Sequence, residues 1–152
     1  MPLTPGERAA LVERYRGGYA AFAAALAECD DLDAADEGWT PRQVAHHLAD
    51  SEMTSAVRLR RLLAEEEPVI AGYDENAFAR LLHYDTRSVE ASLRAAEAAR
   101  EASADLLAAL TEAEWARRGT HTESGPYGVE DWLRTYADHP YDHAEQVRAA
   151  RR

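Results

Sequence analysis

Residues 39–53 read WTPRQVAHHLADSEM, and the fold is decided there. Thr40 supplies a capping hydroxyl, Pro41 suits the first helical position, and Gln43 completes a capping box. Trp39 and Val44 stand where a hydrophobic staple closes across such a cap. A helix therefore begins here. Its inward stripe runs Val44, His47, Leu48, Ser51, Ser55, Leu59 and Leu62, and it is expected to reach Glu65 before Pro68 ends it. His47 lies on the stripe. His46 is turned away by about 100° and is expected at the periphery. Ser51 and Ser55 are small and would leave room for water or substrate on the face that carries His47.

Upstream, a first helix is expected over residues 5–29, with Thr4, Pro5 and Glu7 as its start signal and Leu11, Tyr15, Tyr19, Phe22 and Leu26 as its buried stripe. Gly17 and Gly18 interrupt it and would permit a close helix contact. Residues 30–38 form an acidic connection. After Pro68 comes a long connection to Asp85, with one short helix over residues 75–82. A third long helix is expected over residues 87–110, with Val89, Leu93, Ala96, Ala99, Ser103, Leu106 and Leu110 as its face. Thr111 and Glu114 start a short turn ending near Trp115. Residues 117–128, RRGTHTESGPYG, are rich in turn formers and read as a loop. A fourth helix follows over residues 129–150. Four amphipathic helices in one chain make an all-α bundle, read as one domain over residues 1–152. The connection between helices 2 and 3 is long enough to cross it.

Composition narrows the function. Lys plus Arg number 17 against 28 Asp plus Glu, a formal charge of −11 over 152 residues. Such a surface repels phosphate backbones, so nucleic acid and anionic membranes are not expected partners. Arg58, Arg60 and Arg61, and the group Arg148, Arg151 and Arg152, read as solvated helix faces. Cys29 is the single cysteine, which rules out an internal disulfide and suits a reducing compartment. It reads as a packing residue rather than a nucleophile. The opening MPLTPGERAA lacks a signal core, and no run approaches the roughly 18 apolar residues of a membrane span. A cytoplasmic location is expected.

Chemistry concentrates in the histidines. On helix 4 the stripe Val129, Trp132, Leu133 and Tyr136 continues as His139, His143 and Val147. Two imidazoles four residues apart on one inward face can grip a single ion, and His47 is the natural third ligand. Three histidines with one open position suit catalysis better than structure. Hydrogen-bonded core histidines are the ordinary alternative. Pro140 removes a helical hydrogen bond directly after His139, so a kink is expected there.

WTPRQVAHHLADSEM followed by YADHPYDHAEQV resembles the DinB/YfiT-like superfamily of metal-dependent proteins. That family carries one histidine after a tryptophan-led helix start, matched by His47, and an HxxxH pair in its last helix, matched by His139 and His143. Residues 68–79, PVIAGYDENAFA, are similar to a segment of the YfiT branch, the branch that resembles bacillithiol S-transferases. His121, Glu123 and Gly125 are similar to its H-x-E-x-G loop. The resemblance covers four separated places from Trp39 onward. Pro140 departs from the small or polar residue usual there.

The resemblance implies a four-helix bundle with a long crossover between helices 2 and 3, commonly a homodimer, holding zinc or nickel on three histidines plus water. It further implies thiol S-transferases that use bacillithiol or mycothiol, a mycothiol-dependent isomerase, and many proteins named as hydrolases. The expected function is transfer of a low-molecular-weight thiol to a small-molecule electrophile. The alternatives are a metal-dependent hydrolase and a non-catalytic, metal-stabilised stress-response bundle. Asp50, three residues after His47, is the carboxylate expected to orient a ligand or serve as a base. Glu52, Asp142 and Glu145 could also orient a histidine, but they read as surface charges. His121 and Glu123 are expected at the site mouth, where they would contact cofactor or thiol.

Overall fold

The computed structural model describes residues 1–150; Arg151 and Arg152 lie outside the described residues. Four long helices form the bundle: α1 (Pro5–Ala27), α2 (Pro41–Ala64), α4 (Glu90–Ala108) and α6 (Val129–Ala149). Two short helices, α3 (Glu75–Leu81) and α5 (Glu112–Trp115), lie in the connections. The capping signals act as the sequence indicates. Thr4 with Glu7, Thr40 with Gln43 and Thr111 with Glu114 each close a reciprocal box. Trp39 packs with Val44 in one apolar cluster, as the staple requires.

Each long helix packs on two others. α1 lies against α6 and α4, and α2 lies against α4 and α6. Side-chain pairs give the directions. His46 near the start of α2 meets Ser92 near the start of α4, and Arg60 further along α2 meets Ser103 further along α4, so α2 and α4 run parallel. Arg14 pairs with Asp138, and Phe22 packs with Val147, so α1 and α6 are also parallel. A parallel neighbour requires the connection from α2 to return along the whole helix. This is the crossover that the long segment between them provides.

The loop expected over residues 117–128 is instead a hairpin. β2 (Arg118–His121) pairs antiparallel with β3 (Gly125–Gly128), and β1 (Val69–Ile70) adds to β2 in parallel, giving the order β1-β2-β3. The crossover is thereby pinned as it leaves α2. Gly119 makes this possible, because a Cβ there would sit 2.2 Å from the Pro68 carbonyl oxygen. Arg58 and Arg61 donate to the carbonyls of Ala71 and Val69, so these two are tethers of the crossover rather than a solvated stripe.

The core falls into two apolar clusters. One gathers Tyr15, Leu59, Leu62, Trp115, Trp132 and Leu133, and the other Phe22, Leu26, Val44, Leu48 and Val147. Cys29 packs at the edge of the second. The buried face of α4 is Ser92, Ala96, Arg100, Ser103, Ala104 and Leu107, rotated from the expected stripe. Leu93 and Leu106 are only half-buried, because Arg100 takes the inward position. Among the described residues no helix is long and apolar enough to cross a membrane.

Candidate metal centre

α2 and α6 meet at the end of the bundle where α2 begins and α6 ends. His47, in the second turn of α2, is 2 % exposed. His139 and His143 stand one turn apart on α6 and are half-buried. His143 Nε2 lies 3.1 Å from His47 Nε2 and 3.0 Å from His139 Nε2. Donors held tetrahedrally at about 2.05 Å from a zinc ion are about 3.3 Å apart. The separations therefore suit a shared ion. Among the described residues, His47, His139 and His143 form the one group of three or more metal-competent side chains that converge this closely.

The ring nitrogens on the far side set the protonation. His143 Nδ1 is 2.7 Å from Gln146 Oε1. A carbonyl oxygen only accepts, so Nδ1 carries the hydrogen and Nε2 presents its lone pair inward. Burial, reinforced by the neighbouring imidazoles, pushes His47 down to about 3 and His143 down to about 4 from the ordinary 6.5. Both are neutral at pH 7, the state a metal ligand needs. Trp39 packs on the His47 ring at 5.0 Å between centroids, so the staple that starts α2 also steadies the ligand.

The helix continues through Pro140. Proline offers no N–H to the carbonyl of Tyr136, four residues earlier, and Arg100 Nη2 donates to that oxygen at 3.1 Å. Glu52 is not a surface charge. It is fully buried and ion-paired to Arg100 at 2.7 Å, and its carboxylate lies 3.7 Å from His139 Nδ1.

The other expected residues lie outside the triad. Asp50 accepts from the Tyr84 hydroxyl, and Tyr84 stacks on His46. His46 is not peripheral. It is 1 % exposed, donates from Nε2 to the Arg87 carbonyl at 3.0 Å, and accepts at Nδ1 from the Ser92 hydroxyl at 2.8 Å. His121 and Glu123 sit in the hairpin, His121 beside Tyr127 and Glu123 over Gly72. Ser55 is fully buried, with the Trp132 indole donating to its carbonyl, and leaves no opening there. Ser51, one turn from His47, is 5 % exposed. Gln146 and Arg100 carry no mark in the sequence, and Glu52 reads there as a surface charge. Gln146 was findable as a polar residue three positions after a ligand, whereas nothing in the sequence separates a buried charge from a surface one.

Comparison with known proteins agrees with the fold. A protein of Oceanobacillus iheyensis named as a candidate metal-dependent hydrolase is 39 % identical over 110 residues, covering 72 % of this chain and 63 % of the relative. The Bacillus subtilis protein YfiT, named in the same way, is 35 % identical over 113 residues, covering 74 % of this chain and 64 % of its own length. The matched regions thus take in just under two thirds of these relatives. The solved YfiT structure, described as an unusual four-helix bundle topology, superposes with a TM-score of 0.89 at 30 % identity, over 96 % of this chain and 86 % of that one. A family model matches residues 14–147, and the chain belongs to the DinB superfamily.

Proposed function

We propose that the chain is a metal-dependent enzyme that transfers a low-molecular-weight thiol to an electrophilic carbon. One observation carries the reading: three imidazole nitrogens converge, and no Asp or Glu among the described residues joins them. A divalent ion there, zinc or nickel, would supply Lewis-acid chemistry that lowers the pKa of a thiol. His47, His139 and His143 would hold it. Gln146 orients His143, and Trp39 fixes the His47 ring. Glu52 lies on the Nδ1 side of His139, away from the converging nitrogens, so it is not placed to serve as a general base. A thiolate needs no such base once its proton has left to solvent. A carbon–sulfur bond then forms as the substrate's leaving group departs with its electron pair. Cys29 is not among the converging groups, so in this reading the thiol comes from solution, with bacillithiol and mycothiol as the candidates. The partners in this reading are a small electrophile, that thiol and a second copy of the chain.

The names of the relatives favour a second reading, metal-dependent hydrolysis. Purified protein loaded with zinc or nickel separates the two. Thiol transfer gives conjugation of monochlorobimane only when bacillithiol or mycothiol is present. Hydrolysis gives thiol-independent turnover of an activated ester, abolished in His143→Ala. Conjugation that proceeds equally without added enzyme would overturn the transferase reading.

A further inference from the structure

Arg100 is 2 % exposed on α4 and makes more directed contacts than any helix-packing role needs. Its Nη2 donates to the Tyr136 carbonyl at 3.1 Å and to the Tyr15 carbonyl at 2.6 Å, while Nε donates to Tyr15 at 3.2 Å. Nη1 pairs with Glu52 at 2.7 Å, and the guanidinium lies over the Tyr15 ring at 3.8 Å. Gly18 leaves the space. A Cβ there would meet Arg100 Nη2 at 2.8 Å and Pro140 Cγ at 2.9 Å. The guanidinium is thus fixed in position and fixes Glu52 in turn.

Two atoms in this layer are unsatisfied. Glu52 Oε2 and His139 Nδ1 are both buried without a hydrogen-bond partner, and the oxygen that stands 3.7 Å from His139 Nδ1 is Oε1, which also accepts from Arg100. An unmade buried hydrogen bond is costly, and here a carboxylate with one unpartnered oxygen stands beside an unpartnered ring nitrogen. When His139 commits its Nε2 lone pair to an ion, its hydrogen must sit on Nδ1, the atom that faces Glu52.

We infer that Glu52 and Arg100 are positioning residues of the metal centre: Glu52 takes the Nδ1 hydrogen of His139, and Arg100 anchors Glu52 to the α6 carbonyl that Pro140 leaves open. The inference rests on the metal reading above. It makes Pro140 part of the site, since the proline creates the acceptor that holds Arg100 beside the ligand. A ligating histidine braced in this way characteristically loses about 10- to 100-fold in metal affinity when the brace is removed.

The test is zinc affinity by chelator competition, with the cobalt(II) absorption spectrum, on wild type, Glu52→Gln, Glu52→Asp and Arg100→Lys. Circular dichroism checks that each is folded. Glu52→Gln should bind zinc about 10- to 100-fold more weakly with an altered cobalt spectrum. Glu52→Asp, which keeps the charge, should recover part of the loss. Arg100→Lys, which keeps a charge but not the fork, should fall between. Wild-type affinity and spectrum in Glu52→Gln would overturn the inference while leaving the metal reading intact, whereas absence of zinc binding in wild type would overturn both. Should the Glu52 variants fail to fold, zinc-loaded wild type decides. A downfield, slowly exchanging proton on His139 Nδ1 supports the brace, and a rapidly exchanging one overturns it.

Discussion

His46 and His47 are adjacent in sequence, equally buried and differently employed. His46 spends both nitrogens on protein, one on Ser92 and one on the Arg87 carbonyl, and so ties α2 to the start of α4. His47 turns its Nε2 toward two other imidazoles. Burial alone therefore says nothing about role. A satisfied histidine is a strut, and histidines whose lone pairs converge are a receptor. The same contrast separates the two carboxylates on that helix, since Asp50 is engaged by Tyr84 while Glu52 keeps one oxygen unpartnered.

The largest difference between the two histidines is expected in metal content, measured by mass spectrometry. Wild type is expected to carry about one equivalent of zinc or nickel, His47→Ala and His143→Ala almost none, and His46→Ala the wild-type amount. Metal retained in His47→Ala would erase the distinction. The order should reverse for stability of the metal-free protein in urea. His46→Ala strands the Ser92 hydroxyl, leaves the Arg87 carbonyl to Arg42 alone and empties a buried site, and should cost about 2–4 kcal/mol. His47→Ala removes a ring from an already mismatched cluster and should cost about 1 kcal/mol.

Acid offers a third handle. His47 and His143 are held at about 3 and about 4 in the folded protein, below the 6.5 of an unfolded chain. The unfolded state therefore binds protons first, and metal-free stability should fall as pH drops from about 6.5 through about 4, by at most about 1.4 kcal/mol per pH unit per group. His143→Ala should flatten that slope, and an unchanged slope would show that these rings titrate normally. The smallest effect is expected at Gln146→Ala, which frees the His143 tautomer and should weaken zinc binding about tenfold without altering the melt.

The helix starts were legible because capping boxes are local. Thr40, Pro41 and Gln43 state their role within four residues. The triad was legible because His47, His139 and His143 continue apolar stripes. The sheet was not, because four-residue strands bounded by Gly125 and Gly128 show no alternation and are held by backbone pairing to a segment fifty residues away. Nor was the Arg100–Glu52 pair. A charge on a helix reads as solvent-facing until its partner on another helix is known, and Arg100 accordingly displaced the expected face of α4.

The crossover has a consequence for how the chain reaches this state. α1 and α2 are successive in sequence yet do not lie side by side, and α1 instead rests along α6 through contacts such as Arg14 with Asp138, 124 positions apart. An up-and-down bundle assembles from helical hairpins closed by short loops. Here the stabilising neighbours are remote, so large loops must close before much is gained, and refolding should be slower than for an up-and-down bundle of equal length. His47 and His143 are themselves 96 positions apart, which makes an intact site a report that one of the long loops of the protein has closed.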